Sequence, residues 1–231
     1  MLCLEMWYYA VLVLLAGYMK DATVAISAFS ICLNISGWEF MICIGFLVGV
    51  SVRVSNELGR GDSKAAFFSI KVVLGQSVVI GVLFWILCLC FSRELAYAFT
   101  SDEDVIKTIS TLPVLLAFTI LLNSVQPVFS GVAVGCGRQS IVAWVNIGSY
   151  YMIGVPLGVV LGYLTSLQVR GIWLGMIIGS AMQTLVLGAI ILRTDWDEQV
   201  EKAAERLRKW FLVKRDVDLE EDSSREMQNG G

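Results

Sequence analysis

Charged residues vanish from this chain over long stretches. No Asp, Glu, Lys or Arg occurs at residues 72 to 92, 108 to 137, 139 to 169 or 171 to 192. Each run reaches the ~20 apolar residues that a helix needs to cross a bilayer core. Two more apolar stretches are interrupted by one acid each, Glu5 in the first and Glu39 in the second. The pattern predicts six transmembrane helices, at about residues 1 to 19, 30 to 52, 66 to 92, 108 to 134, 140 to 164 and 171 to 193. Continuous apolar runs lack the alternation that a membrane barrel requires, so the expected fold is all-α and polytopic. After the last span, Trp196, Val200, Ala203, Ala204, Leu207, Trp210 and Phe211 recur at helical spacing and predict an amphipathic helix over about 194 to 212. That helix is read as lying on the membrane surface, with packing against a loop as the alternative. From Val213 to Gly231 the chain is charge-rich without apolar periodicity and is expected to be disordered.

Composition agrees with a membrane class: 57% of residues are hydrophobic, only 16% are charged, and the mean hydropathy is +0.73. The first span lacks the basic start and the small-residue cleavage pattern of a signal peptide, so it is expected to stay in the mature chain. Placing both termini in the cytoplasm puts thirteen of the 17 Lys and Arg residues inside, leaving Lys20, Arg93, Lys107 and Arg170 outside. The six cysteines show no CxxC spacing and histidine is absent, which argues against a zinc site and for buried thiols. No cofactor, metal or nucleic-acid partner is expected, and an enzyme is disfavoured because no nucleophile motif or paired intramembrane aspartate is present.

Polar residues inside the apolar spans are therefore the informative ones. An ionisable group at membrane depth usually faces a cavity and serves an ion or proton pathway. Glu5 is the leading candidate, with an interfacial position or a structural hydrogen bond as alternatives. Glu39 falls nearer the expected outer end of its span, where the headgroup region could hold it. Pro127 removes an amide donor and frees the carbonyl of Asn123, so with Gln126 it predicts a polar kink in mid-membrane. Pro156 is expected to kink its span in the same way and to free the carbonyl of Met152, beside Tyr150 and Tyr151 as anchors or cavity hydroxyls. Tyr9, Asn34, Asn123 and Gln126 complete the candidate cavity lining. Glycines four apart at Gly45 and Gly49, Gly131 and Gly135, Gly154 to Gly162 and Gly171 to Gly179 predict close helix packing. Two motifs are set aside: Asn34-Ile35-Ser36 matches a glycosylation sequon inside an apolar span, and Arg60-Gly61-Asp62 falls on the expected cytoplasmic side.

The segments CLEMWYY, VRVSNELGRGD, VQPVFSGVAVGCGRQ, NIGSYYMIGVPLG, GIWLGMIIGSAMQT and RTDW resemble, in order, the second half of plant multidrug and toxic compound extrusion (MATE, or DETOXIFICATION) transporters. NISGWEF is most similar to the subgroup that includes vacuolar flavonoid carriers. The resemblance implies twelve helices in two six-helix lobes around an alternating cavity, with this chain as the C-terminal lobe and an N-terminal six-helix lobe as its partner. It implies antiport driven by a proton gradient, carrying flavonoids, alkaloids or other xenobiotics across the vacuolar or plasma membrane, with the family's coupling glutamate at Glu5. Two positions depart from the family pattern. Ala10 stands where several relatives carry a second acid, and Asn123 where many carry Asp, which leaves Glu5 as the expected sole proton site and favours neutral or anionic substrates. An anion channel, or a half-transporter that acts only through a partner lobe, are the competing readings.

Overall fold

In a computed structural model the chain is a helical bundle, described at residues 2–19 and 22–229. Met1, Lys20, Asp21, Gly230 and Gly231 lie outside the described residues, as do the side chains of Leu2, Ser92, Arg93, Val213 and 216–229. The expected outside positions of Lys20 and Arg93 therefore have no structural counterpart. The elements are α1 (Leu2–Ala16), α2 (Ala22–Arg60), α3 (Ser63–Phe99), α4 (Glu103–Ile109), α5 (Pro113–Gly135), α6 (Gln139–Asn146), a π-helical segment (Ile147–Gly154), α7 (Val155–Tyr163), α8 (Val169–Leu192) and α9 (Trp196–Asn229). Five helical spans are long and apolar enough to cross a membrane, α6 to α7 counting as one, and Cys3–Ala16 is apolar but shorter. No strand occurs among the described residues.

Local chemistry explains where the long helices end. Gly61 (φ 83°) and Gly137 (φ 72°) take the left-handed conformation that closes α2 and α5. At each end an amide reaches back five residues, Asp62 to the Glu57 carbonyl at 3.0 Å and Arg138 to that of Ala133 at 2.8 Å. Asp62 then caps α3 by accepting from the Ala65 amide at 2.9 Å. The Arg60-Gly61-Asp62 motif is thus a helix-turn-helix joint. Asp102 caps α4 in the same manner, and Pro113 starts α5, where its missing N–H costs nothing.

Several boundaries differ from expectation. The second span begins at Ala22, not near residue 30, because Thr23 to Phe29 is apolar enough to continue the helix. This places Glu39 well inside α2. Both prolines lie inside continuous helical spans. Pro127 sits within one uninterrupted helix. Pro156 starts α7, and the departure from α geometry lies upstream as the π segment. The Ser77 hydroxyl of α3 donates to the Ser124 carbonyl at 2.6 Å, so a neighbouring helix satisfies a backbone oxygen in the turn before Pro127.

The amphipathic helix departs from expectation twice. Trp196, Val200 and Ala203 pack on Val50, Val54, Leu58 and the start of α3, so this stretch is an arm docked on the lobe. The Arg206 guanidinium donates to the Cys136 carbonyl at 3.0 Å, and the Ser63 hydroxyl to Asp197 at 2.6 Å. Among the described residues of α9, the large apolar side chains exposed for a membrane surface are Leu207, Trp210, Phe211 and Leu212. The backbone also stays helical through Asn229, where disorder was expected from Val213. Lys, Arg, Glu and Met are good helix formers, and no Gly or Pro intervenes before Gly230.

α5 is the hub, with its most extensive contacts to α2, α3 and α8. Close approach comes from glycine, as a Cβ at Gly131 or Gly135 would strike the backbone of Leu47 or Ser51 on α2. The tightest joint is between α7 and α8, where a Cβ at Gly175 would collide with the backbone of Gly158. The expected packing role fails for Gly45 and Gly49, which have open space around them. The outside is apolar, with Trp38, Met41, Phe118 and Trp144 each more than half exposed, the inverse of a soluble domain. We expect Gly175→Ala to destabilise the lobe by about 1–3 kcal/mol through overpacking, and Gly45→Ala to leave it unchanged or slightly more stable. Thermal unfolding of the two variants in detergent checks the contrast.

Candidate functional site

The first apolar helix brings a carboxylate to a cluster of tyrosines. Glu5 is 3% exposed and its Oε1 accepts from the Tyr150 hydroxyl at 3.0 Å. Tyr151, the next residue, donates to the Leu4 carbonyl at 2.8 Å. Successive residues on an α-helix point about 100° apart. Here both reach α1 because they lie in the π segment, whose wider turn brings neighbouring side chains nearer one face. Tyr8 stacks on Tyr150 with ring centroids 4.4 Å apart and planes 9° from parallel. The tip of Tyr8 occupies space that side chains at Gly154 and Gly179 would fill, and its hydroxyl is buried without a partner.

Beside this cluster is a cavity of about 240 Å³ between α1, α2 and α5. Three candidate residues from the sequence line it: Tyr9, Asn34 and Asn123, together with Met6, Phe40 and Met41. Its volume falls below the ~300–1,000 Å³ of sites for drug-sized ligands. The wall is mainly apolar with a few polar groups, and one of these is partly engaged, since the Asn34 amide donates to the Ser30 carbonyl at 2.9 Å. Gln126 is a correction. It is buried, its polar partner is Ser130 one turn along α5 at 3.4 Å, and it does not line this cavity.

Glu39 is a second correction, being completely buried where an interfacial position was open. The Cys43 thiol, one turn along α2, donates to Glu39 Oε1 at 2.9 Å. Tyr9 is within electrostatic range of both acids. Cys43, Tyr8 and Ser77 escaped the sequence reading because a thiol, a ring or a hydroxyl in an apolar run carries no periodic signal.

Comparison with known proteins places this geometry. The family model described as MatE matches residues 1–160. The chain belongs to the MatE family. Protein DETOXIFICATION 24 of Arabidopsis thaliana is 54% identical over 212 residues, which cover 92% of this chain and 42% of that protein. Protein DETOXIFICATION 21 of the same plant is 49% identical over 226 residues, covering 98% and 46%. The chain thus spans less than half the length of these curated relatives. The crystal structure of the eukaryotic MATE transporter AtDTX14 superposes with a TM-score of 0.83 at 32% identity, over 88% of this chain and 46% of that one. An inward-facing MATE family transporter of the MOP superfamily shares the fold, with a TM-score of 0.65 at 19% identity, over 87% and 44%. This member of the family is an integral, multi-pass membrane protein with the MATE transporter fold.

Tyr150→Phe and Tyr151→Phe separate the two tyrosines, each removing a bond worth about 1 kcal/mol in a membrane. We expect the cost of Tyr150→Phe to grow as pH rises, because an ionised Glu5 accepts a stronger hydrogen bond than a neutral one. The cost of Tyr151→Phe stays flat with pH. Unfolding midpoints across a pH series in detergent decide.

Proposed function

We propose that this chain is the C-terminal lobe of a proton-coupled antiporter that exports or sequesters organic compounds such as flavonoids, alkaloids or other xenobiotics. The observation that carries this reading is the buried Glu5, held by Tyr150 and placed next to Met6 and within a turn of Tyr9, both of which line the cavity. The family's transporters, and the names of the DETOXIFICATION relatives, support transport as the activity.

Glu5 serves as the proton carrier in this scheme. Neutral, it sits in the tyrosine cluster at little electrostatic cost. Ionised, it has no Lys or Arg in α1 or in the apolar runs 108 to 137, 139 to 169 and 171 to 192 to pair with, so it draws in water or further hydroxyl donors. Tyr9, within electrostatic range of Glu5, is placed for that role. The first helix then shifts relative to the π segment and changes access to the cavity. The N-terminal six-helix lobe supplies the opposite wall, which explains why the cavity is small and why apolar side chains are exposed around it. The membrane is vacuolar or plasma membrane, with α9 on the cytoplasmic side by the distribution of Lys and Arg. Few acids face the cavity, which favours neutral or anionic substrates such as flavonoid glycosides.

The test is proton-driven uptake of a flavonoid glycoside into proteoliposomes holding this lobe with its N-terminal partner. Glu5→Gln, which fixes a neutral side chain of nearly the same shape, is expected to lower uptake at least tenfold. An unchanged rate sinks the assignment of the coupling proton to Glu5.

A further inference from the structure

Among the described residues three glutamates are buried: Glu5, Glu39 and Glu57. Their surroundings differ in kind. Glu57 is paired with Arg53 at 2.8 Å and with Arg60 at 3.6 Å, so two guanidinium groups balance it. Glu5 has the Tyr150 hydroxyl and the cavity beside it. Glu39 is buried between α2, α3 and α5, and among the described residues it makes no ion pair.

The groups that face Glu39 can be named helix by helix. On α2, Cys43 donates its thiol to Oε1 at 2.9 Å. On α3, the Ser77 hydroxyl lies 3.9 Å from that sulfur while donating to Ser124 on α5. On α5, the Asn123 amide lies beside the carboxylate. Oε2 is buried without a hydrogen bond. On α1, Tyr9 is the titratable group within range. The adjoining runs 72 to 92 of α3 and 108 to 137, which contains α5, hold no Asp, Glu, Lys or Arg. α4 and α9 also contact α2, and the α9 residues Trp196, Val200 and Ala203 share a cluster with Val50, Val54 and Leu58, beyond Glu39 along the helix. An ionised carboxylate sealed off without a cation costs several kcal/mol, and a bound proton is the smallest species that removes the charge.

We infer that Glu39 is a second proton-binding carboxylate of this lobe, reached from the cavity through Asn123. Asn123 faces both the cavity and the acid. An amide suits that place because it serves either state: its oxygen accepts from a protonated Oε2–H, and its NH₂ donates to an ionised Oε2. The exchange is a simple proton transfer in which hydronium in the cavity gives a proton to Oε2 and leaves water, and the reverse step returns it. The use of the proton in transport rests on the proposed antiport, whereas the proton site does not.

Infrared difference spectra between low and high pH, recorded on the full chain in lipid nanodiscs, test this directly through the carbonyl stretch of protonated carboxyl groups. We expect two narrow bands from buried acids. Glu5→Gln removes one, Glu39→Gln removes the other, and Cys43→Ala moves only the Glu39 band because that carbonyl loses its thiol donor. Cys43→Ala keeps the test decisive if Glu39→Gln fails to fold. A Glu5→Gln protein with no remaining buried titrating band overturns the inference, and so does a Cys43→Ala spectrum identical to wild type. Loss of proton coupling in Glu5→Gln vesicles bears on the antiport alone, so the two ideas fail separately.

Discussion

The hydrogen bond from Tyr150 to Glu5 is the contact on which the position of α1 depends. α1 is only 15 residues long and touches the rest of the bundle sparsely, so its side of the cavity is held by a few polar links. Three tyrosines of the α6 to α7 span tie it down: Tyr150 to the Glu5 carboxylate, Tyr151 to the Leu4 carbonyl, and Tyr163 to the Leu15 carbonyl at the far end. Two of these links end on backbone oxygens, which do not titrate. The third ends on a group that does. A change of protonation therefore acts on the Glu5 link alone while the Leu4 and Leu15 links hold both ends of α1, which makes that one link the lever in the proposed cycle.

That lever works against a stiff background. α5 is buried along most of its length and carries Asn123, Ser124, Gln126 and Ser130 on surfaces that face protein. α7 and α8 meet with almost no side chain between them, because Gly158 and Gly175 let the backbones touch. A bilayer supplies no hydrophobic drive to hold helices together, so packing of this closeness and satisfied polar groups must do so. The small residues thus fix the frame, and the tyrosine cluster provides the part that can move.

Much of this was readable in the sequence because a bilayer imposes one strong rule, that charged groups avoid it. The uncharged runs located four of the five long spans, and Glu5 and Glu39 were conspicuous for interrupting the two remaining apolar stretches. What the sequence could not supply was depth and direction. Glu39 looked interfacial only because the helix start was placed near residue 30. With α2 beginning at Ala22 the same residue lies in the protein interior. Asn123 and Gln126 are three residues apart on one helix, yet only Asn123 meets the cavity, since the partner of each face is set by tertiary packing. The π segment has no sequence signature beyond its proximity to Pro156, and it decides where both tyrosines point. The docking of α9 was hidden for a similar reason, because an apolar stripe reads alike whether it meets lipid or protein.

The contact of Arg206 with the α5 to α6 turn has one further implication. The guanidinium lies over Gly137, in space that any side chain there would need, and holds the carbonyl of Cys136. The Cys136 thiol is buried beneath that arm, at the end of a spanning helix. Detachment of the arm would uncover it to water, where thiols become reactive as they ionise. The chain therefore carries a built-in chemical reporter: the rate at which Cys136 is alkylated measures how often α9 leaves the lobe.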